Sequence, residues 1–137
     1  MARVLVIDDD KLFVKLMVHA LQERGHVVES ASDGSAGLRV FTAAPFDVVV
    51  CDMLMPQQEG VETIRQLRQH SANVRILAIS SGLRRSPSID ILHVAAQFGA
   101  DTTLQKPFKL TQLVAAVDEL LAKQKSDAAA HVEAARP

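Results

Sequence analysis

In Phe46-Asp47-Val48-Val49-Val50-Cys51-Asp52 the residues from Val48 to Cys51 are apolar one after another. A half-exposed strand alternates apolar and polar residues, and a helix spaces its apolar residues three and four apart. An unbroken run this short and this rich in β-branched residues belongs to a strand covered on both faces, and such strands build parallel sheets. The run closes on a carboxylate, Asp52, at the strand's C-terminal end. In open α/β sheets that edge is where ligands bind and chemistry takes place.

Working outward, Val4-Leu5-Val6-Ile7 has the same character and runs into Asp8-Asp9-Asp10. Two strand ends bearing carboxylates point to a divalent-cation site with a nucleophile in it. Between them, Lys11 to Arg24 reads as a helix, with Asp10 as its N-cap and Gly25 as its left-handed stop. Val27 to Ala31 is a short strand, and Ser32-Asp33-Gly34 opens a helix that Pro45 ends near Ala44. Beyond the strand from Asp47 to Asp52, the loop from Pro56 to Gly60 leads into a helix near Val61 to His70. Arg75 to Ser80 is a fourth strand. The polar loop from Ser81 to Ser86 precedes a helix from Pro87 to Phe98, with proline suited to its first position. Gly99-Ala100-Asp101 turns the chain into a fifth strand, Thr102 to Gln105, and Leu110 to Lys123 is a last amphipathic helix. Strands alternating with helices predict a doubly wound parallel sheet, helices on both faces and right-handed crossovers. One domain is expected over residues 1–123. The Ala-rich, polar tail over 124–137 has two fates open to it, a longer last helix or fraying.

The bulk numbers remove several function classes. A chain of 137 residues holds one domain with a proper core. The net charge of −1 gives no pull toward nucleic acid or an anionic membrane. No DNA-reading module is expected after such a domain, for which too little of the 137 residues is left. A lone cysteine, Cys51, excludes an intramolecular disulfide and fits a reducing compartment. No apolar stretch approaches the roughly 20 residues of a membrane span. Met1-Ala2-Arg3 leads straight into a strand, and no signal peptide is expected. The expectation is a cytoplasmic protein with no nucleic-acid or membrane partner, a monomer or a weak homodimer.

The order Asp8-Asp9, then Asp52 with Met55-Pro56 and Gly60, then Ser80, then Lys106-Pro107-Phe108 resembles the receiver domain of two-component response regulators, over roughly Arg3 to Ala122. Each motif alone is weak; their shared order, each at a strand end or in the loop after it, is specific. The resemblance implies a flavodoxin-like fold, a five-stranded sheet in the order 2-1-3-4-5. The first and third strands are then neighbours about 5 Å apart. Carboxylates that close repel unless a cation joins them, and oxygen ligands with room for water suit Mg²⁺. By resemblance, Asp9, Asp52 and the Leu54 backbone carbonyl hold Mg²⁺ directly, and Asp8 holds it directly or through water. Asp52 would take a phosphoryl group from a phosphohistidine on a sensor histidine kinase or a histidine phosphotransfer protein, a carboxylate being a competent nucleophile for this. Lys106, before a cis Pro107, would neutralise the transferred group. Ser80 would bond a phosphoryl oxygen and draw its loop inward. The transfer needs positioning and charge neutralisation more than covalent help. The dianion it leaves is the physical signal.

Three departures from the family pattern matter. Thr103 stands where many members carry an aromatic switch residue. The segment from Gly82 to Ser88 is longer than usual and carries Arg84 and Arg85. Leu54 lies where a side chain borders the path of a hydrolytic water. The first helix, with Leu12, Phe13, Val14, Leu16, Met17, Val18 and Leu21, carries more apolar surface than one stripe hides. It is either a docking face for a helical donor protein or a deeply buried helix. Cys51 points away from Asp52 by strand alternation and reads as an inert buried thiol. The five histidines pair nowhere at metal-ligand spacing, and surface or capping roles are expected of them.

The leading expectation is a stand-alone phospho-accepting switch that contacts an unknown downstream protein, its signalling surface running from about Ile89 to Leu121. A second is an intermediate shuttle passing phosphate between histidine proteins, which Thr103 and the apolar first helix favour. A third, remote one is a phosphohydrolase of the haloacid dehalogenase type. That class carries a second Asp two residues after the nucleophile, and Leu54 cannot transfer a proton. A degenerate, constitutive receiver is disfavoured by the intact acidic, Ser and Lys set. On the leading reading the chain is not an enzyme with a separate substrate but catalyses its own phosphorylation and dephosphorylation.

Overall fold

The computed structural model describes residues 1–53, 59–80 and 96–135. Five strands, β1 (Arg3–Ile7), β2 (Val27–Ala31), β3 (Val48–Asp52), β4 (Arg75–Ser80) and β5 (Thr102–Gln105), form one parallel sheet in the order β2-β1-β3-β4-β5. The described helices are α1 (Lys11–Glu23), α2 (Gly34–Ala43), α3 (Glu59–His70) and α4 (Leu110–Ala135). The expected helix from Pro87 lies, up to residue 95, outside the described residues, as do Met55-Pro56 and the 82–88 loop.

The loss of alternation in β3 now has its cause. All five of its residues are buried, and the four apolar ones divide between two layers. Val49 and Cys51 pack with Leu5, Ile7, Ile76 and Ala78 beneath Phe41 of α2 and Ile64 and Leu67 of α3. Val48 and Val50 pack with Val4, Val6, Leu77 and Ile79 against Met17 and Leu21 of α1 and Leu113, Val117 and Leu120 of α4. Each such side chain contributes about 1.5–3 kcal/mol on burial, so both faces of the central strands favour apolar residues equally. Cys51 is fully buried in the layer opposite Val50, as alternation requires.

Helix boundaries follow local chemistry. Asp10 accepts the Phe13 N–H at 3.1 Å and Asp33 accepts that of Ala36 at 2.8 Å, capping α1 and α2. Gly25 takes φ 88° just beyond α1, a left-handed turn that suits glycine. β3 starts at Val48 rather than Asp47, whose carboxylate accepts the Arg3 N–H at 2.9 Å and closes the ladder's end. α4 continues past Lys123 to Ala135, through a segment rich in Ala, the strongest helix former, and free of Gly and Pro.

Two expectations are sharpened. α1 is not wholly buried: Met17 and Leu21 are, but Leu12 is 69% exposed and Leu16 46%. His26 is not a surface residue: its side chain is nine-tenths buried and accepts the Ala2 N–H through Nδ1 at 3.3 Å, with Asp118 of α4 3.7 Å from Nε2. No described helix is long and apolar enough to cross a membrane.

Candidate functional site

All five strands point the same way, so their C-terminal ends share one edge of the sheet. Register then assembles the site. Ile7 pairs with Cys51, which sets Asp8 beside Asp52; Asp52 itself pairs with Ile79, and Ser80 with Gln105. Asp8, Asp52 and Ser80 are all but buried, whereas Asp9 is exposed. The Asp8 N–H donates to Ala31 O at 3.1 Å, which holds its backbone, and its Oδ1 accepts the Asp10 N–H at 2.9 Å, which holds its carboxylate.

Asp8, Asp9 and Asp52 each place a carboxylate oxygen within 4.8 Å of the others. Burial pushes the Asp8 carboxyl above its ordinary value, and the negative charge of Asp52 adds to the push. The Asp10 N–H and Lys106 oppose it. The Lys106 ammonium lies 3.4 Å from Asp8 Oδ2 and 3.8 Å from Asp52 Oδ2. One ammonium against three carboxylates leaves an excess of negative charge on hard oxygen donors. Such a set suits a divalent cation that prefers oxygen, and magnesium fits it. Asp8, Asp9 and Asp52 are the residues that would hold the ion. Leu54, expected to add its carbonyl, lies outside the described residues.

Lys106 is delivered by β5. Its N–H donates to Ser80 O at 2.7 Å, which ties it to the end of β4, and the Lys106–Pro107 bond is cis. Its ammonium sits 4.6 Å from the centroid of the Phe13 ring, and Phe13 meets Phe108 edge-on at 5.4 Å. Sequence reasoning counted Phe13 only among the surplus apolar residues of the first helix, for docking or for burial; its position at the start of a helix entered directly from Asp8-Asp9-Asp10 was the available signal. On the other side, Gly60 at the start of α3 lies against the Asp52–Met53 backbone. A Cβ there would come within 2.6 Å of Met53 Cα and 2.7 Å of Asp52 O.

The structure thus brings together Asp8, Asp9, Asp52 and Lys106, with Ser80 at the same edge. Thr103 stands inside β5, paired with Ala78 and half-buried. Chemically, the arrangement offers a nucleophilic carboxylate, a hard-cation donor set and a held ammonium in one place.

The sequence model of the response regulator receiver domain matches residues 4–118. The response regulator MprA of Mycobacterium tuberculosis is 36% identical over 134 residues, spanning 98% of this chain and 56% of that protein. The chain spans about half the length of the curated relatives it matches. Among solved structures, a response regulator receiver domain protein from Clostridium thermocellum superposes with TM-score 0.81 at 28% identity, over 91% of this chain and 98% of that one. The chemotaxis protein CheY4 of Vibrio cholerae superposes with TM-score 0.78 at 32% identity, over 88% of this chain and 99% of its own.

Proposed function

The chain belongs to the response regulator receiver domain family, a two-component signalling module, and from that premise we propose that Asp52 is its phospho-acceptor. The observation that carries this reading is the convergence of Asp8, Asp9 and Asp52 within 4.8 Å, with Lys106 over Asp8 and Asp52. An Asp52 carboxylate oxygen attacks phosphorus of a phosphohistidine; the new P–O bond forms as the P–N bond breaks, and the histidine departs with its electron pair. A magnesium ion, when bound, supplies positive charge to the oxygens of the moving group. Lys106 supplies one more positive charge from the C-terminal end of β5, on the same edge of the sheet. Ser80 offers a hydroxyl at the same edge for a phosphoryl oxygen. Asp8 is braced by the Asp10 amide, and Asp52 by its place in a fully buried strand, so neither needs to reorganise.

The donor is a sensor histidine kinase or a histidine phosphotransfer protein. Leu12 and Leu16, exposed one turn apart at the start of α1, support docking of a helical donor beside the site. The phosphorylated form acts through contact with a downstream protein, in the cytoplasm, where the buried Cys51 stays reduced. A second reading, an intermediate that hands phosphate on to another histidine, is favoured by Thr103, which has no ring to move in a switch. Efficient return of phosphate from Asp52 to a phosphotransfer histidine would select that shuttle.

The phospho-acceptor reading is tested with acetyl phosphate and Mg²⁺. The wild-type chain takes up one alkali-labile phosphoryl group, seen as a mass gain, and Asp52→Asn takes up none. Undiminished labelling of Asp52→Asn sinks the assignment.

A further inference from the structure

The Lys106 side chain raises a question that the carboxylates do not answer. It is four carbons long and a quarter exposed, and it donates to Asp8 Oδ2 at 3.4 Å with Asp52 Oδ2 at 3.8 Å, both longer than the short charge-assisted bonds that fix an ion pair tightly. A lysine stem carries about 2 kcal/mol of rotamer entropy, so a specific location needs a further contact. The Phe13 ring supplies one. Its centroid is 4.6 Å from Nζ, inside the roughly 6 Å at which the negative face of a ring attracts a cation. The ring is itself held. Its residue lies in the first turn of α1, with its N–H caught by Asp10, and Phe108 braces it edge-on at 63°. Because Phe108 follows Lys106 by two residues, the aromatic pair straps the segment bearing the lysine to the helix that follows the acidic cluster.

We propose that Phe13 is a positioning residue for Lys106: its ring face holds the ammonium over Asp8 and Asp52, so that the cation stands in place before a phosphoryl group arrives. This role rests on the phospho-acceptor reading of Asp52 and adds to it a residue that touches neither metal nor phosphate. A leucine at 13 fills much of the same volume but has no ring face. A tyrosine keeps the ring.

The test compares wild type, Phe13→Leu and Phe13→Tyr, each first shown to be folded by circular dichroism. Two readouts are taken: the Lys106 Hε proton shifts by NMR without phosphodonor, and the rate of labelling at saturating acetyl phosphate and Mg²⁺. The expected result is a ring-shifted Hε pair in wild type and Phe13→Tyr that moves to ordinary lysine values in Phe13→Leu. The labelling rate of Phe13→Leu falls about three- to tenfold, the factor that about 0.6–1.4 kcal/mol of cation–π attraction produces. Phe13→Tyr restores it, and the Mg²⁺ dissociation constant stays within about twofold across the set, since no metal ligand is touched. Equal rates in wild type and Phe13→Leu overturn the role, and so does a Phe13→Tyr rate as slow as that of Phe13→Leu. A wild-type chain that takes no label overturns the phospho-acceptor reading itself, and this role with it; labelling of wild type with an unshifted Lys106 overturns this role alone.

Discussion

At the scale of the residue, Asp8 is where charge and burial conflict. Its carboxyl is raised above the ordinary value of 3.8, chiefly by burial and further by Asp52. The folded chain therefore holds this proton more tightly than the unfolded chain. The stability that follows is fully present below the ordinary carboxylate value and is lost as pH rises from there through the raised value. A magnesium ion held by this acidic cluster would compete with the same proton, so its affinity would fall as pH falls through that window. Asp8→Asn keeps an oxygen for the Asp10 N–H but removes the charge. In EDTA at neutral pH it raises the melting temperature by about 4 °C, the shift that roughly 1 kcal/mol gives in a domain of this size. It also loses most of the stabilisation that Mg²⁺ confers on wild type. Thermal melts with and without Mg²⁺ between about pH 4 and pH 8 check both points; a variant less stable than wild type in EDTA contradicts them. Asp8, Asp9, Asp52 and Lys106 were legible because charged residues have few reasons to stand where apolar strands end. Phe13 was not: an apolar residue in an apolar helix has packing as its sufficient explanation, and only the folded chain puts a lysine from residue 106 against it.

At the scale of the element, periodicity told strands from helices because each layer imposes its own spacing. β2, β4 and β5 end where they were expected. Helix ends were less legible where propensity and packing disagree, as in α4, which runs on through its Ala-rich segment after its packed residues stop. α3 shows a constraint of another kind. Gly60 in its first turn is disfavoured by helix propensity, and Ala would gain about 1 kcal/mol there. The backbone of Asp52 and Met53 leaves no room for that methyl group. Backbone atoms cannot rotate away as a side-chain tip can, so α3 must shift or the end of β3 must move, at about 1–3 kcal/mol. The second effect wins. Gly60→Ala is expected to lower the urea midpoint with m unchanged, a net loss of about 1 kcal/mol. It is also expected to slow Asp52 labelling by displacing the carboxylate. An unchanged midpoint would show that α3 yields without strain. The sequence flagged Gly60 as part of a motif, but the reason for it, a close approach between two backbones, exists only in the fold.

At the scale of the whole molecule, the residues encode faces more readily than neighbours. The apolar runs predicted a doubly wound parallel sheet, but nothing in β1 or β3 alone says that they lie side by side. That order came from the resemblance, and the register Ile7 to Cys51 bears it out. The same distinction bears on where the domain ends. The family match stops at residue 118, and the apolar layer beneath α4 takes Leu120 and Leu121 as its last members. The helix goes on to Ala135. A dozen helical residues are marginal in water without tertiary support, so an extension of this length adds little stability of its own. We predict that a chain ending at Lys123 keeps the sheet, binds Mg²⁺ and labels at Asp52 as the full chain does, with a melting temperature within about 2 °C of it. Thermal melts and mass-detected labelling of the two chains decide the matter. A drop of more than about 5 °C, worth over roughly 1 kcal/mol in a domain of this size, would mean that the extension packs on the receiver body and that the domain boundary lies beyond Lys123.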